Sequence, residues 1–323
     1  LKCLIEENKE IKLKLKNGTA LFGTIETYLI YRLSNLQSYV TDYTNASRTL
    51  IFNNEELKWD NDLLELFELD IKTLPEVKEN SAFFGKTDFD NIFNKEVDIF
   101  GVIGDSQGSL FANQCFNKGD TKITLGTGAS ILTNIGENFI TSKDSVTSLS
   151  YVHRGKVSYS YECLINYAGA IISWLKDNLQ IISDPEETDN ISDKINTNGG
   201  VYIIPAFVGL SSPYWIPESK GMIYGLNPSS NKDHLIRASL ESIAYLIKDY
   251  LDFLKNNHHI TCKSINVDGG MVKNSFLLQL ISNLLKNKIF IPNVIDMSAY
   301  GSLLMGLLGT GMFKDLDQLK NIK

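Results

Sequence analysis

Two stretches of the chain, residues 99–107 and 123–132, combine a carboxylate with glycine-flanked turns in a pattern that suits phosphate chemistry. In the first, an apolar run leads through Gly104 to a lone carboxylate, Asp105. A carboxylate at a strand end is well placed to accept a proton from a bound hydroxyl. In the second, two β-rich runs flank a Gly-Thr-Gly turn around Thr127, whose bare N–H groups and hydroxyl suit a phosphate. Together these features predict phosphoryl transfer to an alcohol.

A third turn, at residues 268–274, repeats the arrangement of a strand that runs into glycines. Gly270 removes side-chain bulk, and Asn274 follows near the start of a predicted helix. Such a turn lets a flat base or a ribose lie against the backbone, with the amide able to hydrogen-bond it. A junction of this kind is more often a tight packing turn than a nucleotide site. For Asp105, a structural role in a turn or as a helix N-cap is equally open. From the residues alone, both interpretations stand at each site.

The elements that position these turns alternate between strands and helices, which predicts an α/β fold with two domains. The apolar patterns predict strands over 97–102, 122–134, 148–152, 156–161, 201–207 and 264–267. They predict helices over 20–33, 59–67, 107–116, 234–256 and 275–286, a short one before Pro75, and a small-residue helix over 299–313 packed closely against another element. The polar stretch 184–200 is predicted to be an exposed loop.

Composition narrows the function classes. With 43% hydrophobic and 21% charged residues the chain is typical of a globular protein, and its net charge of −7 argues against nucleic-acid binding. No apolar run reaches the ~18 residues that span a bilayer, so no membrane insertion is expected. The four cysteines are widely spaced without a C-x-x-C pair, which favours reduced thiols and a cytoplasmic location. His258 and His259 are expected in a surface loop rather than at a metal.

Longer motifs carry a family resemblance. Residues 221–226, followed after seven residues by 234–241, resemble a signature of the FGGY carbohydrate kinases at every constrained position. Four further segments resemble that family's glycerol kinase branch: residues 22–30, 41–48, 205–210 and 213–215. The resemblance covers nearly the whole chain.

The resemblance implies two actin-like, ribonuclease H-like α/β ATPase domains that close over ATP and a polyol. Residues 1–114 would be the C-terminal part of the first domain, on the acceptor side, and residues 115–323 the second, nucleotide-side domain. The chain opens on Leu1 without a methionine or signal peptide. We therefore expect a fragment whose first domain lacks its N-terminal part, including a phosphate-binding hairpin. A truncated pseudo-kinase and a partial protein that binds nucleotide without turnover are the alternatives.

By motif position, the resemblance also implies roles for individual residues. Asp105 resembles the general base, with Ser106 beside it at the acceptor. The residues that resemble the family's nucleotide-binding positions are Thr127 at the phosphates, Gly169 and Ser173 in the cleft, and Gly270 and Asn274 at the adenosine. The implied reaction converts ATP and glycerol to glycerol 3-phosphate and ADP. The implied cofactors are ATP and Mg²⁺, with metal ligands unknown. The sequence leaves the oligomeric state open, and a homo-oligomer is one of the alternatives.

The sequence departs from the glycerol kinase pattern at positions that bear on the acceptor. Ser106 stands where that branch usually carries glutamine, and Ser130 where it usually carries phenylalanine. Ile216 replaces an aspartate, and Ser173 replaces a glutamine in the nucleotide cleft. Smaller side chains at 106 and 130 predict a roomier pocket for a larger polyol or sugar. Neutral drift is the alternative, as is a non-catalytic nucleotide-binding relative for the protein as a whole.

Overall fold

A computed structural model describes residues 2–320 and 322, apart from the side chains of residues 192 and 193. Its α-helices are α1 (Lys2–Glu7), α2 (Lys9–Lys16), α3 (Ile25–Leu33), α4 (Tyr43–Ala46), α5 (Asn61–Leu66), α6 (Asp105–Ala112), α7 (Gly169–Asp177), α8 (Ile191–Lys194), α9 (Lys232–His258), α10 (Ser275–Leu285), α11 (Met297–Gly309) and α12 (Leu316–Leu319). Three short 3₁₀ helices cover Ile71–Thr73, Pro185–Thr188 and Gly270–Lys273.

The strands are β1 (Val40–Asp42), β2 (Phe52–Asn53), β3 (Lys58–Trp59), β4 (Glu76–Lys78), β5 (Phe83–Thr87), β6 (Val97–Phe100), β7 (Asp120–Leu125), β8 (Ala129–Gly136), β9 (Val146–His153), β10 (Lys156–Ile165), β11 (Tyr202–Ile204), β12 (Met222–Tyr224), β13 (Ser264–Asp268) and β14 (Ile289–Phe290). Strand–helix alternation with β-hairpins confirms the predicted α/β class.

A six-stranded mixed sheet in the order β14-β13-β7-β8-β10-β9 forms the centre of the second half of the chain. β13 runs parallel to β7, and their register pairs Asp268 with Thr124. Since neighbouring parallel strands end at the same sheet edge, the turn after β7 and the turn after β13 lie side by side. The sequence had predicted both turns, and this topology brings them together.

Helix α9 covers the sheet with a buried stripe of residues spaced alternately four and three apart. The stripe consists of Ile236, Leu240, Ile243, Ile247, Tyr250 and Leu254, all fully buried. The sequence had placed Leu235 and Leu246 on this face, but both are only partly buried. Each fully buried side chain of this size contributes about 1.5–3 kcal/mol, so the stripe is a main source of cohesion.

The first half of the chain carries smaller two-stranded sheets, of which β5–β6 leads directly toward Asp105. Helix α6 starts at Asp105 and packs along α11. A Cβ on Gly301 of α11 would lie 1.9 Å from the Gly108 carbonyl oxygen of α6, so this contact is backbone against backbone. The small residues of the predicted C-terminal helix therefore serve its close approach to the helix that carries Asp105.

Some expectations about local structure were wrong. Residues 184–200 are not simply an exposed loop, because Thr188 is 2% and Ile191 0% exposed. A capping box between Asp184 and Glu187 satisfies the local backbone, which lets the segment fold down onto the protein. The helix predicted over 59–67 begins only at Asn61, after Asp60 as its N-cap.

No helix in the described part of the chain is both long and apolar enough to traverse a bilayer.

Candidate active site

Asp105 is the first residue of α6 and is exposed to solvent. Its carboxylate oxygen Oδ1 accepts the Ser106 N–H at 2.6 Å, and its carbonyl oxygen accepts the Ser298 hydroxyl of α11 at 2.8 Å. A carboxylate in the first turn of a helix also interacts favourably with the helix dipole. Helix α11 thus holds the Asp105 backbone through its carbonyl oxygen, while the carboxylate remains exposed.

Asp105 opens into a cleft of about 360 Å³, here called the Asp105 cleft. The residues lining it are Asp105, Ser106, Ser109, Lys122, Thr124, Ser130, Asp268, Gly269, Ile295, Asp296, Met297 and Ser298. Thr124 and Ser130 are cross-strand partners on β7 and β8, and their buried hydroxyls have no hydrogen-bond partner among the described residues. The cleft therefore offers a ligand the exposed carboxylates of Asp105 and Asp296, with two unpartnered hydroxyls in its wall.

Sequence reasoning missed Lys122, which lies on β7 and is only 1% exposed. Burial lowers the pKa of its ammonium group, while the nearby charges of Asp268 and, more weakly, Asp105 act in the opposite direction. Asp268 in turn accepts hydrogen bonds from Ser109 Oγ at 2.7 Å and Asn113 Nδ2 at 3.0 Å. The available signal was a lysine inside a β-branched strand pattern, since such a residue is seldom buried without a partner.

Thr127 lies exposed at the tip of the turn between β7 and β8. Its carbonyl oxygen accepts the N–H groups of Ala168 and Ala170 at 3.0 and 2.9 Å, next to the start of α7. The Gly169 N–H donates to the Gly126 carbonyl at 2.9 Å. The turn is thereby fixed to the helix N-terminus, with the Thr127 side chain free to meet a ligand.

The other four predicted nucleotide residues share one cleft of about 470 Å³, here called the Gly270 cleft. Its lining residues are Gly169, Ile172, Ser173, Pro185, Glu186, Thr188, Asp189, Asn190, Gly270, Met271, Lys273 and Asn274. Ile172 and Met271 supply apolar surface of the kind that a planar base packs against. The sequence predicted one wall of this cleft and missed the other, because it assigned residues 184–200 to an exposed loop.

The Asn274 amide holds that second wall in place. Its oxygen accepts the Leu277 N–H at 2.8 Å as the N-cap of α10, and its nitrogen donates to Thr188 Oγ1 at 3.1 Å. The Ser275 N–H adds a hydrogen bond to Asp189 Oδ1 at 2.7 Å. Both ends of the amide therefore bind protein atoms, and the most direct structural effect of Asn274 is on the shape of the cleft.

The neighbouring residues Gly269 and Gly270 line the Asp105 cleft and the Gly270 cleft, and backbone contacts that only glycine allows join both clefts to the Thr127 turn. Gly269 lines the Asp105 cleft with φ +97°, and a Cβ there would lie 2.4 Å from the Leu125 carbonyl oxygen. A Cβ on Gly169 would lie 2.5 Å from the carbonyl oxygen of Gly126. The turn that carries Thr127 is thus flanked by one glycine from each cleft. The Asp105 cleft and the Gly270 cleft therefore lie on either side of this turn.

Comparison with known proteins identifies the family of this chain. Residues 1–112 match the N-terminal domain, and residues 121–310 the C-terminal domain, of the FGGY family of carbohydrate kinases. The chain belongs to that family. It is 40% identical over 322 residues to a glycerol kinase of Brachyspira hyodysenteriae and 39% identical over 321 residues to one of Staphylococcus epidermidis. These alignments cover 99% of this chain but only 65% and 64% of the two relatives' lengths.

Solved structures give the same result for the fold of this FGGY kinase chain. A Plasmodium falciparum glycerol kinase with ADP superposes with a TM-score of 0.93 at 33% identity, over 99% of this chain and 64% of that one. A ligand-bound xylulose kinase from Lactobacillus acidophilus gives a TM-score of 0.81 at 20% identity, over 91% and 60%. The second match supports the fold alone. The predicted family membership and fold class are confirmed.

Proposed function

We propose that this FGGY chain carries most of the active site of an ATP-dependent polyol kinase that converts glycerol to glycerol 3-phosphate. The observation that carries the proposal is that the Asp105 cleft and the Gly270 cleft flank the Thr127 turn, through Gly269 of one and Gly169 of the other. One cleft offers a carboxylate to an alcohol, and the other offers apolar walls to a nucleotide. The similarity to glycerol kinases supports glycerol as the acceptor.

In the proposed reaction, Asp105 takes the proton of the acceptor hydroxyl as its oxygen attacks the γ-phosphorus of ATP. The new oxygen–phosphorus bond forms while the bond to the departing ADP breaks, and the Thr127 turn contacts the phosphates with its hydroxyl and N–H groups. Such transfers depend mainly on positioning and charge stabilisation. The buried ammonium of Lys122 supplies positive charge near the reacting groups, and Ser106 adjoins Asp105 at the acceptor.

The nucleotide itself is proposed to occupy the Gly270 cleft. Gly169 and Gly270 let its flat parts approach the backbone, and Ser173 offers a hydroxyl beside the apolar surface of Met271. Asn274 supports the wall formed by Thr188 and its neighbours. This assignment uses the four residues that the family resemblance placed at the nucleotide besides Thr127.

Mg²⁺ is proposed to accompany the nucleotide. Within residues 2–320 and 322, no group of three or more His, Cys, Asp or Glu side chains is arranged to hold a metal ion. Mg²⁺ commonly keeps several waters and binds through substrate phosphates with one or two carboxylates, a role that Asp268 can fill at this cleft. When bound, the ion would neutralise phosphate charge, while proton removal remains with Asp105.

The first experiment is acceptor-dependent ADP release by the full-length polypeptide that contains these 323 residues, supplied with Mg–ATP. We expect the highest kcat/KM for glycerol among glycerol, dihydroxyacetone, tetritols and pentitols. A larger polyol that exceeds glycerol would move the function to that acceptor. Ser106 and Ser130 line the Asp105 cleft and would be the reason, because both are small. ATP binding without release for any acceptor would indicate a non-catalytic nucleotide-binding protein.

Replacing Gly270 with valine should block nucleotide binding without loss of stability. A Cβ on Gly270 meets no atom within 4 Å, so the valine side chain fits the protein and occupies space in the cleft. We expect the Kd for ATP and ADP to rise at least ~10-fold, equivalent to about 1.4 kcal/mol. Isothermal titration calorimetry measures this change, and the unfolding temperature without nucleotide should match that of the parent. Unchanged ATP affinity would remove the nucleotide from this cleft.

The proposal extends to the domain boundary, the location and the assembly of the protein. The boundary between the two domains is placed at residues 114–115, within the connection from α6 to β7. A cytoplasmic location fits the use of ATP and the four free cysteines. A homo-oligomer also remains a proposal, and sedimentation of the full-length polypeptide tests it.

A further inference from the structure

A buried polar cluster lies behind the turn that carries Asp105, and no step proposed so far uses it. Its members, Asp42, Thr44 and Asn80, are each 0% exposed. Asp42 is the N-cap of α4, and its Oδ2 accepts the Thr44 N–H and the Asn80 side-chain N–H, both at 2.8 Å. Asn45 donates to its other oxygen at 2.5 Å. Three fully buried polar side chains that hydrogen-bond one another indicate that the cluster holds the surrounding backbone in a defined position.

The cluster makes three hydrogen bonds to the backbone just before Asp105. The Gly104 N–H donates to Thr44 Oγ1 at 2.8 Å, and Asn80 Nδ2 donates to the Val102 carbonyl at 2.9 Å. The Val102 N–H donates to the Asn80 carbonyl at 3.1 Å. Gly104 is the N-cap of α6 and has no side chain to cap it. The Thr44 hydroxyl therefore fixes the residue immediately before the carboxylate.

Asn80 also connects the cluster to the six-stranded sheet. Its Oδ1 accepts the Val152 N–H of β9 at 2.7 Å, and its own N–H donates to the Val152 carbonyl at 3.0 Å. The backbone before Asp105 is thus held in register with the sheet that also carries Lys122 and leads into the Thr127 turn. Such a link sets the distance between Asp105 and the groups on the sheet, Lys122 and the Thr127 turn, which come from a different part of the chain.

Asp42 determines the direction of the Thr44 hydroxyl. The Thr44 Oγ1–H donates to the Asp42 carboxylate, which leaves the oxygen lone pairs for the Gly104 N–H. Burial raises the pKa of the Asp42 carboxyl to about 6, against the hydrogen bonds from Thr44 and Asn45 and with a further increase from Glu26 of α3. Burying this carboxyl costs free energy, and its structural consequence is that Thr44 Oγ1 is oriented to accept the Gly104 N–H at the start of α6.

We propose that Thr44 is a positioning residue for phosphoryl transfer. Its hydroxyl, oriented by Asp42 and Asn80, fixes Gly104 and so places the Asp105 carboxylate against the acceptor hydroxyl. The inference rests on the proposed kinase function, which assigns Asp105 as the base. Because a misplacement of about 1 Å can cost ~10²-fold in rate, one hydrogen bond at this point matters for turnover.

The test compares Thr44→Val, which removes the hydroxyl at nearly constant shape, with Thr44→Ser, which keeps it. In the full-length kinase we expect Thr44→Val to lower kcat at least ~10-fold, with the KM for ATP changed less than about twofold. Thr44→Ser should restore most of kcat. Thr87→Val is the matched control, because the buried Thr87 hydroxyl likewise accepts a backbone N–H, from Phe89 at 2.9 Å, away from Asp105.

Hydrogen exchange separates positioning from general stability, and it needs no activity. The Gly104 amide should exchange slowly in the parent, faster in Thr44→Val, and at the parent rate in Thr87→Val. Equal losses of kcat in Thr44→Val and Thr87→Val, or no rescue by serine, would overturn the proposal. So would a rapidly exchanging Gly104 amide in the parent, a measurement that stands even if Thr44→Val does not fold. Absence of ADP release by the parent with every acceptor would instead contradict the kinase function.

Discussion

Asp105→Asn is expected to reduce acceptor-dependent turnover at least ~10²-fold while leaving ATP binding intact, because a positioned carboxylate base typically contributes ~10²–10⁴-fold. Asparagine keeps the shape of the side chain and its oxygen can still accept the Ser106 N–H. It cannot take a proton from an acceptor hydroxyl. The loss should therefore appear in kcat, with the KM for ATP nearly unchanged.

Asp296→Asn provides the matched control for this measurement. Asp296 lines the same cleft and caps α11 through the Ala299 N–H at 2.9 Å. Asparagine is an equally good N-cap, so stability should hold, and turnover should change far less than in Asp105→Asn. Steady-state ADP release and calorimetric ATP binding on both variants complete the comparison. Similar losses in the two variants would show that charge in the cleft matters, rather than a base at Asp105.

The parts of the site that sequence predicted are those set by local structure. The turns at Asp105, Thr127 and Gly270 each follow an apolar strand and contain glycine, and both signals lie within ten residues. Parallel pairing of β7 and β13 then brings two of these turns to one sheet edge. The family resemblance added Gly169 and Ser173, which have no local signal of their own.

The parts that sequence missed depend on contacts between distant segments. Lys122 becomes a site residue only because β13 and α6 bring Asp268 and Ser109 beside it. Thr188 joins the second wall of the Gly270 cleft through a hydrogen bond with Asn274, 86 positions away. Local polarity favoured an exposed loop there, and tertiary contacts outweighed it. Polar patterns predict exposure only where no distant partner satisfies the polar groups.

Gly301→Ala is expected to destabilise the protein by at least about 3 kcal/mol, the upper end of the usual cost of overpacking. The added Cβ would lie 1.9 Å from the Gly108 carbonyl oxygen, and a backbone atom of a packed helix cannot move aside cheaply. Helix α11 must then separate from α6. Thermal unfolding should show a decrease of roughly 5 °C or more.

Gly306→Ala in the same helix is the control, with the opposite sign expected. Its Cβ would meet the Phe100 carbonyl oxygen at 3.5 Å, an ordinary contact, and alanine in a helix interior gains about 0.5–1 kcal/mol over glycine. A decrease of similar size in both variants would show that the α11 backbone, rather than the contact at Gly301, sets the response. The same contact bears on catalysis, since α11 also holds the Asp105 carbonyl through Ser298. Gly301→Ala molecules that remain folded should therefore lose kcat as well, whereas Gly306→Ala should keep it.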